Sequence, residues 1–490
     1  MQIDRLVFPT EFKADAPVSK QIADTLKEGI VQGLVSPGII LPSVRDLAVQ
    51  LNVSRSTAAR AIEELSAQGY VVAEIGSGTR VASHLPGQIA GQNPRRQSEE
   101  LSEAELKPVT LSKFGERLRH RYEIGALTTT VTYTGPKLKE LPLSIWRDMI
   151  ARHCRGGAEN PQNYSPDTCG YPPLREAYAS YLIRARAVKV TKERLITFAS
   201  RNLRLDIVSR LILNEGDVVA MEEPGFQAAR EQFLAAGARI VPVPVDSQGL
   251  RVDQLEALGE PVKLVFVTPS HHEPTGAVMS MTRRKQLLDY AERHNAYIVE
   301  DDYDSEFRYD GRPLPSLQGM DKNDRVIYLS CVWNVLAPLT RLGFMILPQA
   351  LVEPVTACKN LVERDVAFTE QAALADFINE GHLEKLIRKL RSRYATRREA
   401  LVRNIETTFK NGVFIAPESA GLDLLVRFDS MLGYSPEKIE KAARAAGLPL
   451  LSTAFYYMGT PRPLEYTIAF ASIEDDADAI FSRFAAALQA

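Results

Sequence analysis

Residues 326–343, VIYLSCVWNVLAPLTRLG, constrain the fold of this 490-residue chain more than any other stretch. The apolar run Val326, Ile327, Tyr328 and Leu329 ends in small and polar residues, then gives way to Leu336-Ala337-Pro338 and Arg341-Leu342-Gly343. This pattern reads as a buried strand delivering its carboxyl end to a loop, the place where open α/β sheets carry ligand sites. Similar strand-like runs recur at 194–198, 217–221, 238–243, 264–268 and 296–299, with amphipathic helical stretches between them. That alternation predicts a mainly parallel sheet covered by helices. The run ends carry Ala199-Ser200-Arg201, Glu222 to Phe226, Thr268 to His271, Glu300 to Tyr303 and Cys331 to Asn334. Converging on one sheet edge, they make one cleft. After Pro348 the chain turns helical, and 412–428 with 450–470 predict a smaller α+β subdomain, within about 350–490, closing over the cleft.

The length calls for two or three domains. Net charge −2 and a pI near 6.4 exclude a globally basic protein, so any nucleic-acid site must be a local patch. Cys154, Cys169, Cys331 and Cys358 show neither CxxC nor zinc-type spacing, which fits free thiols. No signal-peptide core or long apolar segment is present, so the expected setting is cytoplasmic, without membrane insertion.

A second unit is legible before residue 84. Val18, Ile22, Leu26 and Ile30 recur every four residues, and the pattern stops at Gly33. Ser43 is placed to cap a second helix with Val44, Leu47, Ala48 and Leu51 inward, and Ser54 a third with Ala58, Ala61, Ile62 and Leu65 inward. Gly69 ends it, and 70–79 reads as a β-hairpin wing. Helix, helix-turn-helix and wing form a DNA-binding architecture. Residues 1–84 carry eight Lys/Arg against nine Asp/Glu, so position rather than sum matters. Arg45, Arg55, Arg60 and Arg80 fall on the helix starts, the third helix and the wing, the elements such folds turn toward phosphates and base edges. Residues 85–112, with Pro86-Gly87, Arg95-Arg96 and an acidic, Ser-containing run, read as a flexible tether with one short helix near 99–105.

LPSVRDLAVQLNVSRSTAARAIEEL, followed by GY and GSGTRVA, closely resembles the GntR winged helix. The resemblance implies that Ser43, Arg45, Ser54, Arg55, Thr57, Arg60, Gly78 and Arg80 lie at the DNA. From residue 113 to 490, TCGYPPLREAYASYL, EEPGFQAAR, VTPSHHEPTG and EDDYDSEFRYD resemble fold type I aminotransferases, in the form found in MocR-class GntR regulators. By this resemblance Asp301 pairs with the pyridine nitrogen of pyridoxal phosphate (PLP), Tyr303 reaches the ring hydroxyl, Arg341 the phosphate, and Phe226 belongs to the same site.

Several positions depart from that family. The lysine that forms the imine is Asn334, whose amide is neither basic nor nucleophilic. The small residue before it is Trp333. The Ser-Gly-Ala-Gln phosphate loop has become Ala199, Ser200, Arg201 and Asn202, losing the glycine that permits close backbone approach. The substrate-carboxylate arginine aligns with Thr467. A buried Asp301 without a pyridinium needs another partner, and Arg201 and Arg341 are the candidates. The sequence therefore reads as a non-enzymatic transcription regulator that binds double-stranded operator DNA with no covalent cofactor, and the family resemblance implies a homodimer of the large domains. Its large domain senses a small ligand or only dimerises. Non-covalent PLP, pyridoxamine phosphate, a different small anion and nothing at all are each compatible with the residues. The competing class, a PLP-dependent aminotransferase with a DNA-binding head, is opposed by Asn334 and Thr467.

Overall fold

The computed structural model describes residues 12, 16–74, 78–86, 110–125, 135–155, 167–310, 314–416, 420–473 and 477–489. It divides into two compact units, Met1–Thr110 and Leu111–Ala490. The tether read at 85–112, including Arg95, Arg96 and the short helix near 99–105, lies mostly outside the described residues. Leu85 does not belong to a tether, because it is 5% exposed and packs into the core of the first unit.

The first unit contains α1 (Val18–Val31), α2 (Val44–Gln50), α3 (Arg55–Ala67) and a hairpin of β1 (Val71–Glu74) and β2 (Gly78–Val81). Its core joins Ile22, Leu26 and Ile30 of α1 to Leu47 and Ala48 of α2 and to Ala58, Ala61, Ile62 and Leu65 of α3. The Ser43 hydroxyl accepts from the Asp46 amide at 3.2 Å, and Ser54 from the Thr57 amide at 3.1 Å, satisfying amides that each helix leaves free at its start.

The second unit is built on an eight-stranded sheet of β3 (Leu195–Phe198), β4 (Val218–Glu223), β5 (Arg239–Asp246), β6 (Gly249–Leu250), β7 (Leu264–Val267), β8 (Tyr297–Asp302), β9 (Val326–Cys331) and β10 (Gly343–Ile346). Their order is β3-β10-β9-β8-β7-β4-β5-β6. The central pairs β9–β8, β8–β7, β7–β4 and β4–β5 are parallel, whereas β10 runs antiparallel to both β3 and β9. Strand β10 was not anticipated: its four-residue apolar run directly follows the β9 loop, and nothing in its periodicity separates it from that loop.

The two-residue period of a strand sends alternate side chains to opposite faces. Val219 and Met221 of β4 therefore join one apolar cluster with Leu264, Phe266 and Ile327, while Val218 and Ala220 join another with Val265, Val267 and Ile298. The C-terminal subdomain carries an antiparallel sheet of β11 (Val413–Ile415), β12 (Leu424–Phe428), β13 (Leu450–Ser452) and β14 (Glu465–Ile468), in the order β11-β12-β14-β13. All four cysteines are free thiols. Among the described residues no helix is long and apolar enough to cross a membrane.

Candidate functional site

The carboxyl ends of β3, β4, β7, β8 and β9 meet in one cleft. Asp301, 2% exposed at the end of β8, lies 2.5 Å from the guanidinium of Arg201, the first residue of α4 (Arg201–Ile212). That guanidinium sits 4.4 Å from the centre of the Phe226 ring and 5.6 Å from that of Tyr303. Burial works against the Arg201 charge, but Asp301, Cys331 and Glu273 outweigh it and hold its pKa above the ordinary guanidinium value. Of the two candidate partners for Asp301, the structure selects Arg201. Arg341 is exposed, with its guanidinium 5.3 Å from the centre of the Trp333 ring.

Asn334 stands in a four-residue helical turn, Trp333–Leu336, and is 7% exposed. Its amide donates to the Tyr303 carbonyl at 2.9 Å. The Tyr303 hydroxyl lies 3.0 Å from His271 Nδ1, which is also 2.8 Å from Asp304. Asp302, on the opposite face of β8 from Asp301, bonds Arg186 at 2.6 Å and the Tyr328 hydroxyl. Glu222, at the end of β4, accepts from the amide and hydroxyl of Thr268 at 3.0 and 2.8 Å. Burial nevertheless pushes its pKa to about 8, so the carboxyl is largely neutral at pH 7.

The C-terminal subdomain closes one side of the cleft. Glu223 accepts the amides of Met458 and Gly459, each at 2.9 Å, and Arg230 donates to the carbonyls of Phe455 and Tyr456 at 2.7 and 3.1 Å. The Tyr456 hydroxyl donates to Glu273 at 2.8 Å. Thr467 is buried within β14, opposite Leu425 and Leu451. Arg462 does not replace the missing arginine, since it is exposed and its guanidinium lies 3.7 Å from Glu465. A cavity of about 890 Å³ lies elsewhere, against Phe414 and Arg427, and shares no residue with this cleft.

In the first unit Arg45, Arg55 and Arg60 are exposed and form no ion pair with a described residue. Thr57 is half-buried on α3, its hydroxyl 2.7 Å from that of Ser54. Gly78 opens β2 with φ +93°, a left-handed conformation that favours glycine at the hairpin. Arg80 is half-buried and reaches the Gly38 carbonyl at 3.4 Å.

The aminotransferase class I and II family matches residues 133–465, and the gntR family of bacterial regulatory proteins matches 18–81. The chain is 34% identical over 463 residues to the probable rhizopine catabolism regulatory protein MocR of Rhizobium meliloti, covering 94% of this chain and 91% of that one. It is 27% identical to the pyridoxine biosynthesis transcriptional regulator PdxR of Corynebacterium glutamicum, covering 94% and 93%. This chain belongs to the MocR-type regulators of the GntR family. Among solved structures, Pyrococcus horikoshii kynurenine aminotransferase is similar to this regulator, with a TM-score of 0.65 and 25% identity over 80% of this chain and 97% of that one.

The aminotransferase fold implies PLP, and the cleft of this MocR-type chain does not fit it. Asp301 already holds a cation, the Phe226 face is covered, Asn334 offers no amine, and the Tyr303 hydroxyl is engaged by His271. Sequence reading reached Arg201 because an arginine replaced a small residue. It missed Arg230 and Tyr456, whose contact depends on the C-terminal subdomain folding back. Glu273, within VTPSHHEPTG, is an unusual acid for that family pattern, and its place beside the cleft is legible from the segment itself.

Proposed function

We propose that this regulator binds double-stranded operator DNA through its winged helix as a homodimer of its large domains, in a cytoplasmic setting, and carries out no Schiff-base chemistry. The observation that carries the reading is the Arg201–Asp301 pair across Phe226: the chain's own guanidinium stands where a pyridinium would need to be. Asn334 and Thr467 support the same conclusion, since neither imine formation nor α-carboxylate recognition has a residue to perform it. Arg45, Arg55 and Arg60, exposed and without an ion pair to a described residue, support phosphate and base contacts, with Ser43 and Ser54 positioning the helix starts and Thr57, Gly78 and Arg80 completing the face.

The large domain acts as a sensor whose subdomain closure sets the geometry of the DNA-binding heads. A constitutive dimer is the second reading, favoured by the fact that Arg201 already covers the ring site. The test is a PLP titration of the full chain read by visible absorbance, together with turnover on an amino donor and a keto acid. No imine band and no turnover above free PLP are expected. Either signal would overturn the non-enzymatic reading.

A further inference from the structure

The cleft holds more carboxylates than cations. Glu273 lies within electrostatic reach of Arg201 and Asp301, and Asp423 within reach of Glu273, His271 and Asp304. Neither Glu273 nor Asp423 is ion-paired to a described residue. Glu273 receives the Tyr456 hydroxyl, and the Asp423 side chain receives no hydrogen bond from a described residue. Burial raises both carboxyls, Asp423 to about 7, and the neighbouring Glu273 raises Asp423 further.

A second, independent observation shows what this surrounding accommodates. A guanidinium is already seated in it, bonded to Asp301 and 4.4 Å from the centre of the Phe226 ring, with its side chain 26% exposed. A carboxylate beside an aromatic face is a seat for a planar or compact cation. A phosphate ester would meet Glu273, Asp301, Asp304 and Asp423 together. No arginine stands at 467 to receive an α-carboxylate, so a zwitterionic amino acid lacks its second anchor.

We propose that the cleft is a receptor site for a small organic cation without a carboxylate, a guanidino or alkylammonium compound, which takes Asp301 and Phe226 from Arg201 and gains Glu273 and Asp423. The proposal rests on the reading that PLP is not resident. Arg201 is the resting occupant and competes with the ligand. Contact with Glu273 also bears on Tyr456, within the 455–459 segment that Glu223 and Arg230 dock, so binding is felt by the C-terminal subdomain.

The test titrates the full-length protein with agmatine and putrescine by calorimetry and thermal denaturation, with arginine, inorganic phosphate and PLP as comparators. Agmatine or putrescine binds and raises Tm, arginine binds about tenfold more weakly, and phosphate does not bind. Asp423→Asn weakens the amine about tenfold, whereas Arg201→Ala, lacking the internal competitor, binds agmatine more tightly than the wild type and regains Tm with methylguanidine. No amine binding to wild type or Arg201→Ala overturns the proposal, as does amine binding unchanged by both Arg201→Ala and Asp423→Asn. A PLP imine band in the wild type would instead overturn the reading beneath it, so the two failures are distinguishable.

Discussion

Arg201 and Asp301, a hundred residues apart, form an ion pair at 2.5 Å between the first turn of a helix and the end of a central strand. Asp301 is 2% exposed and Arg201 26%, so the two partners depend on each other unequally. Arg201→Ala strands a buried carboxylate and should cost about 3 kcal/mol, whereas Asp301→Asn leaves a guanidinium that water can reach and should cost about 2 kcal/mol. The double variant Arg201→Ala/Asp301→Asn should be less destabilised than the sum of the two. Urea unfolding of all four proteins checks this, and simple additivity would show that the pair contributes no coupling.

The same pair governs recovery of the cofactor chemistry. Asn334→Lys alone should give little imine absorbance with PLP, because Arg201 still covers Phe226 and Asp301. Arg201→Ser/Asn334→Lys should give a clear band and bind PLP at least about tenfold more tightly. An equal band in the single variant would show that lysine loss alone closed the site.

Glu222 makes stability depend on pH. Burial raises its pKa from 4.5 to about 8, so the fold favours the neutral acid. The associated stability is complete below about pH 4.5, declines as pH rises, and is lost by about pH 8, at up to about 1.4 kcal/mol per pH unit in that window. Glu222→Gln keeps an acceptor for Thr268 and removes this dependence. Thermal unfolding from pH 5 to pH 9 should find the variant more stable than the wild type at pH 8, and a parallel pH profile would contradict the assignment.

DNA binding gives a separate test within the first unit. Arg60→Ala and Arg55→Ala should each weaken operator binding by about 1–3 kcal/mol if they read bases, or lower the salt dependence by about one counterion if they meet phosphate. Ser54→Ala should cost about 1 kcal/mol of helix stability through the lost cap at the Thr57 amide. Fluorescence anisotropy at several salt concentrations measures the first effect, and thermal unfolding the second.

What a sequence reveals depends on how local the cause is. Ser43 and Ser54 cap the helices they precede because a cap acts over three residues, so both helix starts are legible in the chain itself. The strands β3, β4, β7, β8 and β9 are legible too, since apolar runs that must be buried on both faces leave their mark in composition. Strand β10 was not, because its antiparallel place between β3 and β9 comes from pairing with two distant partners. The sequence alone likewise determined that Asn334 cannot form an imine and that Asp301 needs a new partner. Only the tertiary structure decided that Arg201, not Arg341, is that partner, and that Asp423 and Tyr456 share its cleft. The reason is physical: whether a buried charge is neutralised depends on which groups come within a few ångströms of it, and here those groups arrive from well-separated segments between residues 201 and 456.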